Sequence, residues 1–378
     1  MSARRESPIS TGNGTMWISL CGGFRTLWRG EGLLRRNVTR GLPSTWSLLR
    51  AGKAYSNTCR ECQSYAEPGP WAFSGGLTSG PKPLRWGNAR LRELFRLILD
   101  DKGACMSINF GAGLHVTAGR AVDASSYDRY VGRWSRLFVP TVLAAAEISA
   151  GYRVLDISTG TGEASSMALP IVGAAGLMIG ADISPEMLKS ARNRLNEPSF
   201  CPVAADGQAL PFKEGVFDAV ICQLGLQFFP DPACGVSEFR RVLRVGRRAA
   251  ACVISTPERA PMWGILADVV SRHFPEQRST LHLSFALADQ KRLEQLLANA
   301  GFSDVRVELQ TREVSFESFE DYWAPIEAGT GSLPQAYLAL TGAKRHEVRE
   351  EVRARLSKFE SNGQLSMSVE MLIGSGRA

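Results

Sequence analysis

Val154-Leu155-Asp156-Ile157-Ser158-Thr159-Gly160-Thr161-Gly162-Glu163 reads as an apolar strand closing on an acid, a turn of small residues and a helix start. Glycine has no Cβ, so a turn of this kind lets a ligand come close to the backbone. The helix that follows offers unpaired N–H groups and the positive end of its dipole. In an open α/β sheet a ligand lies outside the carboxyl ends of the strands, where this turn falls. The ligand it holds decides the function.

The neighbouring segments alternate in type. The pattern predicts strands at Arg153–Ile157, Leu177–Asp182, Phe200–Ala204, Val216–Cys222 and Ala249–Ser255. Helices are expected at Arg136–Ile148, Glu163–Val172, Pro185–Leu195 and Val236–Val245. Ser184-Pro185-Glu186 marks a helix start, with a Ser cap, Pro in the first turn and an acid against the dipole. Further on, Asp289–Ala300 reads as a helix, Val305–Val314 as a strand, Lys344–Phe359 as a charged amphipathic helix and Leu365–Ile373 as a closing strand. Strands separated by short helices imply an α/β fold, a Rossmann-like doubly wound sheet covered on both faces.

Composition sets the limits. The 378 residues can bury a large core, and 44% hydrophobic with 21% charged residues is ordinary for a globular protein. No apolar run approaches the ~18 residues that a membrane span needs. The net charge of +7 is unevenly placed. Residues 1–105 hold 16 Lys+Arg against 7 Asp+Glu (+9), and residues 106–378 hold 28 against 30 (−2). The basic hint of nucleic acid or anionic membrane therefore attaches only to the N-terminal third. That third lacks sustained periodicity apart from an amphipathic stretch at Asn88–Leu99. It reads as an organellar targeting segment, a disordered basic tail, or an extension upstream of a natural start at Met106. The last is favoured, because composition changes sharply there.

Cys59-Arg-Glu-Cys62 has the spacing of half a zinc site, but no second pair follows, so no metal is expected. Cys222 and Cys252 fall in apolar strand runs, where a free thiol behaves as a small buried hydrophobe. Reduced thiols and a cytoplasmic setting are the expectation.

Two cofactor classes fit the glycine turn. Gly160-Thr161-Gly162-Glu163-Ala164-Ser165, with Asp182 about 20 residues on, approximates a dinucleotide fingerprint and hence a nicotinamide-dependent oxidoreductase. Three acids argue otherwise. Asp156 would face a pyrophosphate unfavourably and an ammonium or sulfonium favourably. Asp182 ends the second strand, placed for ribose hydroxyls, and Asp206 follows the third, placed for an exocyclic amine. Each alone reads as a cap or a solvated strand end. Together they suit a cationic amino-acid nucleoside.

On these elements the chain resembles the class I S-adenosylmethionine-dependent methyltransferases, in particular the type 11 group that includes ubiquinone/menaquinone-biosynthesis methyltransferases. The matching motifs stand in order: 154–162, Gly-Ala-Asp-Ile-Ser-Pro-Glu-Met-Leu at 180–188, Ala-Asp-Gly-Gln-Ala-Leu-Pro-Phe at 205–212, the run 217–231, and Glu238–Arg244. The flanking segments Tyr127–Ser135 and Phe319–Ala324 also resemble the group. The resemblance implies seven strands with the last antiparallel, and helical cap segments. It also implies roles: Asp156 and the Gly160–Gly162 turn at the methionine part, Asp182 at the ribose and Ile183 beside the adenine. Asp206 and Gly207 would meet the adenine edge, and Gln223 the amino group and sulfonium. Ser158 stands where the group's first glycine is usual, which narrows the room beside the cofactor. Val245-Gly246-Arg247 replaces the Pro-Gly-Gly commonly found before the fifth strand.

A sulfonium methyl is already electrophilic, so alignment is the protein's main task. No residue is assigned as a general base, and His273, His282 and His346 read as surface or core residues. Acceptor contacts are expected from Ala260–Phe285 (Met262, Trp263, Phe274, Phe285) and from 319–340 (Tyr322, Trp323). Their apolar and aromatic content points to a small, partly hydrophobic organic acceptor and away from nucleic acid. A non-catalytic, methyltransferase-like binding or assembly protein is the remaining alternative, with Ser158 as its support. The sequence leaves the oligomeric state open.

Overall fold

Five strands form the parallel heart of the protein: β4 (Arg153–Ile157), β5 (Leu177–Asp182), β6 (Phe200–Ala204), β7 (Phe217–Gln223) and β8 (Leu243–Ile254). They lie in the order β8-β7-β4-β5-β6. The computed structural model describes residues 127–329 and 331–378, and three short strands in the N-terminal third. Near-continuous burial along β4, β5 and β7 follows from helices covering both sheet faces. The chain runs from β4 outward through β5 and β6, then crosses to the other side of β4 for β7 and β8. That reversal makes the ends of β4 and β7 the topological switch point.

β9 (Ser303–Phe316) and β11 (Gln364–Arg377) complete the sheet. β11 inserts antiparallel between β8 and β9, as in Ile373↔Cys252 and Ile373↔Glu308. The expected seven strands are therefore present with the last one antiparallel. The eighth is the two-residue β10 (Glu360–Ser361), a hairpin arm on β11. Buried Arg248 of β8 pins these strands together, donating to Asp304 Oδ2 at 2.5 Å and to Ser375 Oγ at 3.1 Å.

The helices of seven residues or more are α1 (Val139–Ala145), α2 (Glu163–Val172), α3 (Pro185–Leu195), α4 (Pro232–Val242), α5 (Pro261–Ser271), α6 (Gln290–Asn299), α7 (Phe319–Glu327), α8 (Ser332–Leu338) and α9 (Gly342–Leu356). Ser184 Oγ accepts from Met187 N at 3.4 Å and caps α3, as its sequence predicts. α4 begins four residues before the expected Val236, because Asp231 Oδ1 accepts from Ala233 N at 2.9 Å and Pro232 supplies the first helical position. It ends at Val242 because β8 starts at the next residue. The expected Arg136–Ile148 helix is shorter. A π-helical turn at Asp128–Gly132 and a short α turn at Arg133–Ser135 precede α1.

β1 (Leu34–Asn37), β2 (Thr45–Arg50) and β3 (Lys53–Ser56) form an antiparallel sheet of their own, with Leu34↔Leu48 and Arg50↔Lys53 in register. Strands of four to six residues are too short for their alternation to stand out in that third of the sequence. The Cys59–Cys62 pair, the Asn88–Leu99 stretch and Met106 lie outside the described residues. Among the described residues no helix is long and apolar enough to cross a membrane, and no group of three or more His, Cys, Asp or Glu could hold a metal ion.

α5, which the sequence pattern does not mark as a helix, is buried along nearly its whole length. It approaches the loop after β8 so closely that a Cβ on Gly264 would stand 2.0 Å from Pro257 O. Backbone cannot yield as a side chain can. Gly264→Ala is expected to destabilise the fold by about 1–3 kcal/mol, the usual cost of overpacking a dense core, read as a lowered midpoint in urea unfolding.

Candidate active site at the ends of β4 and β7

The turn after β4 takes its shape from three left-handed residues within five: Ser158 (φ 57°), Gly160 (φ 56°) and Gly162 (φ 84°). Glycine occupies that region freely, whereas serine is strained there. The two glycines serve different ends. A Cβ at Gly162 would lie 3.0 Å from Leu195 Cδ1 and 3.2 Å from Ala191 Cβ, so this residue lets α3 pack against the turn. A Cβ at Gly160 would meet nothing within 4 Å, which leaves its backbone open toward a ligand.

Asp156 is fully buried at the end of β4. Its Oδ2 accepts from Thr159 Oγ1 at 2.7 Å and from Ser165 Oγ at 2.6 Å, which ties the turn to the first turns of α2. Its Oδ1 is buried without any partner. Burial pushes the carboxyl up to about 6, and the Asp182 charge adds to that. Asp182 ends β5, where its Oδ2 accepts from Gly160 N and its Oδ1 from Ser184 N, both at 2.8 Å. Burial raises its pKa as well. One carboxylate thus anchors both the glycine turn and the N-terminus of α3.

Gln223 closes β7. Its Nε2 donates to Ser135 O at 3.3 Å, and its Oε1 is buried without a partner. Asp156, Ser158, Gly160 and Gln223 line one crevice together with Tyr127 and Ser135 from the segment before α1. Burial, then the charges of Asp182 and Asp128, push the Tyr127 phenol well up. An ionic cluster fastens this segment over the turn. Asp128 Oδ1 accepts from Thr161 Oγ1 at 2.5 Å, and Arg194 reaches Asp128 at 3.3 Å and Glu163 at 2.5 Å. The sequence offers Tyr127, Tyr130 and Trp134 either as a cover for the cofactor or as plain packing, and of these Tyr127 lines the crevice while Trp134 is core. Thr159 and Ser165 are not among the expected site residues. The threonine inside the turn and the serine on the first turn of α2 are the available signal.

The other expected residues stand nearby but outside the crevice lining. Ile183 is half-buried at the end of β5. Asp206 Oδ1 accepts from Gln208 N at 2.9 Å, forming an Asx turn after β6. Gly207 is required by packing, since a Cβ there would stand 2.3 Å from Phe229 Cζ. The aromatic residues expected as acceptor contacts are largely core. Met262, Trp263, Tyr322 and Trp323 are all buried, while Phe274 and Phe285 stay partly exposed against the core. Trp263 meets Trp134 edge-on with centroids 4.0 Å apart, and Tyr322 Oη donates to Met262 O at 2.6 Å. These rings belong to one buried core cluster, in which Trp263 of α5 packs on Trp134 and Tyr322 of α7 reaches the α5 backbone. His282 is engaged by Ser271 Oγ at 3.1 Å, which agrees with its reading as a satisfied residue.

Two buried acceptor atoms, Asp156 Oδ1 and Gln223 Oε1, thus border one crevice without donors. Buried polar atoms are almost always paired, so this pair fits a ligand end rich in donors and positively charged. A diphosphate would bring more acceptors and more negative charge to the same place.

Ser158 is accommodated by the β7 turn. A Cβ on Gly225 would stand 2.3 Å from Ser158 Cβ, so the absence of a side chain at 225 makes room for the serine. The left-handed backbone at 158 remains costly. Ser158→Gly is expected to stabilise the protein by about 1 kcal/mol, seen as a raised Tm with the fold unchanged.

Residues 132–316 match the model of the ubiE/COQ5 methyltransferase family. The demethylmenaquinone methyltransferase of Corynebacterium kroppenstedtii is 34% identical over 166 residues, covering 41% of this chain and 69% of that protein. The ubiquinone/menaquinone biosynthesis C-methyltransferase of Teredinibacter turnerae is 29% identical over 191 residues, covering 45% of this chain and 75% of that protein. Among solved structures, the Haemonchus contortus phosphoethanolamine N-methyltransferase 2 in complex with S-adenosyl-L-methionine is similar with a TM-score of 0.46. It is 16% identical and covers 72% of this chain and 60% of that one. By its match to more than two thirds of a 34% identical relative, the chain belongs to the ubiE/COQ5 methyltransferase family and is an S-adenosylmethionine-dependent methyltransferase.

Proposed function

We propose that the crevice between the β4 turn, Gln223 and the Tyr127–Ser135 segment holds S-adenosylmethionine, and that the acceptor is a small reduced quinone. The carrying observation is the pair of unpartnered buried acceptors, Asp156 Oδ1 and Gln223 Oε1. They suit the ammonium and sulfonium end of the donor. Gly160 leaves room for the methionine backbone, and Gly162 and Ser158 shape the turn. Following the resemblance, we assign the ribose and the adenine to Asp182 and Ile183 at the end of β5, and the adenine edge to Asp206 and Gly207 after β6. The quinone reading rests on the names of the similar proteins. We assign this activity to residues 106–378, and buried free Cys222 and Cys252 support a reducing, cytoplasmic setting.

When bound, the cofactor supplies an electrophilic methyl group. The chain's own residues bind and align. Asp156, held ionised by a cationic partner, fixes the donor's charged end, and the ordered turn prevents rotation away from the line of attack. Such alignment supplies roughly 7–11 kcal/mol of barrier reduction in favourable cases. Tyr127 and Glu163 line the crevice, and the Asp128–Arg194–Glu163 cluster holds that segment in place beside the bound donor.

Calorimetry with S-adenosylhomocysteine tests the donor site. Asp156→Asn is expected to weaken binding by at least about tenfold, as removal of a charge-assisted contact does. The pH dependence has a definite sign. The Asp156 pKa of about 6 in the free protein lies above the ordinary value of 3.8. Without a cation, this group's contribution to stability is therefore largest at acid pH and is lost as pH rises through about 6. A bound cation favours the ionised form. Affinity should be flat above about pH 7 and fall as pH drops below 6, approaching about tenfold per unit. Asp156→Asn should abolish that dependence. Labelled-methyl transfer to a short-chain reduced demethylmenaquinone tests the acceptor, and binding of the donor without such transfer would remove the quinone reading.

A further inference from the structure

Five buried side-chain atoms lack any hydrogen-bond partner among the described residues: Asp156 Oδ1, Gln223 Oε1, both amide atoms of Gln227, and Arg345 Nε. Two of the five stand at the carboxyl ends of β4 and β7, two belong to Gln227 in the turn after β7, and the fifth is on α9. The donor reading accounts for Asp156 and Gln223. It leaves Gln227 unexplained.

Gln227 lies in the single 3-10 turn Leu226–Phe228 that follows β7 and is only 1% exposed. The turn is rigidly set. Phe228 N donates to Gly225 O at 2.9 Å and Phe229 N to Leu226 O at 3.2 Å. Bare Gly225 seats the turn against Ser158 of the donor site. The turn also packs against a second 3-10 turn, Leu283–Phe285, where Phe285 stays partly exposed. Gln227 therefore stands four residues beyond Gln223, outside the crevice lining, on a turn that meets both Ser158 of the donor site and the segment 283–285.

A primary amide buried with both ends unpaired is costly, whereas a leucine fills almost the same volume at no polar cost. A residue that opposes stability in a rigid element beside an active site is the kind retained for a ligand. The amide offers one acceptor and two donors and carries no charge at any ordinary pH. It matches a hydroxyl or carbonyl oxygen on a flat, neutral ring, and it holds such a group without removing a proton.

We infer that the Gln227 carboxamide is the acceptor-binding contact of this enzyme, holding a ring oxygen of the quinol so that its carbon faces the donor. This rests on the crevice being the donor site and on the quinol reading above. Its role is positioning by direct contact, so its loss separates acceptor handling from donor binding.

The test compares Gln227→Leu with wild type in three measurements: Tm without ligand, affinity for S-adenosylhomocysteine by calorimetry, and kcat/KM for a short-chain reduced demethylmenaquinone. The expected result is a raised Tm and cofactor affinity within about twofold of wild type. With these, kcat/KM should fall by at least about tenfold, the loss typical of removing a buried polar contact to a substrate. Gln227→Met, longer and more adaptable, serves as a second variant if Leu does not fold. Wild-type turnover with kcat/KM unchanged in the folded variant overturns the contact and leaves the quinol reading standing. Loss of cofactor affinity in the same proportion as turnover reassigns Gln227 to the donor site and overturns it. Absence of wild-type turnover of this quinol removes the quinol reading, and this contact with it.

Discussion

The buried Asp156 carboxylate is the interaction on which the rest of the site depends. One oxygen, satisfied by Thr159 and Ser165, binds the turn after β4 to the first turns of α2. The other, without a partner, faces the crevice. An acid buried in this way is held partly protonated by desolvation, and a cation relieves it. The same residue therefore shapes the loop, stores unfavourable electrostatics and makes the site selective for positive charge. Asp182 completes the frame by accepting from both the glycine turn and the start of α3.

The serine at 158 shows how a departure from a family pattern is absorbed. A left-handed conformation there is imposed by the turn, and a glycine would adopt it without strain. The chain keeps the strained serine and gives up the side chain at Gly225 on the facing turn, so the two loops still meet. The contact also joins the donor turn to the turn bearing Gln227. A change at either position is felt by both.

Much of the sheet is legible in the sequence. Arg153–Ile157, Leu177–Asp182 and Phe200–Ala204 coincide with the strands found, as do the helices Glu163–Val172 and Pro185–Leu195. Buried parallel strands are short unbroken apolar runs, and α3 starts on a Ser184 cap and α2 on the left-handed Gly162, so local chemistry is sufficient. Where it is not, two neighbours compete for the same residues. Periodicity assigns residues 243–245 to the end of α4, yet Leu243 already pairs with Phe217 across the sheet. The aromatic residues of 260–285 and 319–340 read as a ligand surface because aromatic content alone does not distinguish a pocket wall from a core. Only the packing of α5 on Trp134 and of Tyr322 on the α5 backbone shows that most of them are interior.

By itself the sequence determined the order of strands and helices, the glycine turn, the acids at three strand ends and, through their joint spacing, the class of cofactor. These are local properties: apolar period, turn residues and charge at a strand end are written within a few residues. The tertiary structure decided which polar atoms are left without partners, which glycines serve packing and which serve access, and which segment lines the crevice. Those answers depend on groups far apart in the chain, such as Ser135 with Gln223 or Ser158 with Gly225. The turn at 154–163 is therefore readable as a ligand site from its residues, but the unpaired oxygen that gives it a preference for a cation is a consequence of burial, which only folding creates.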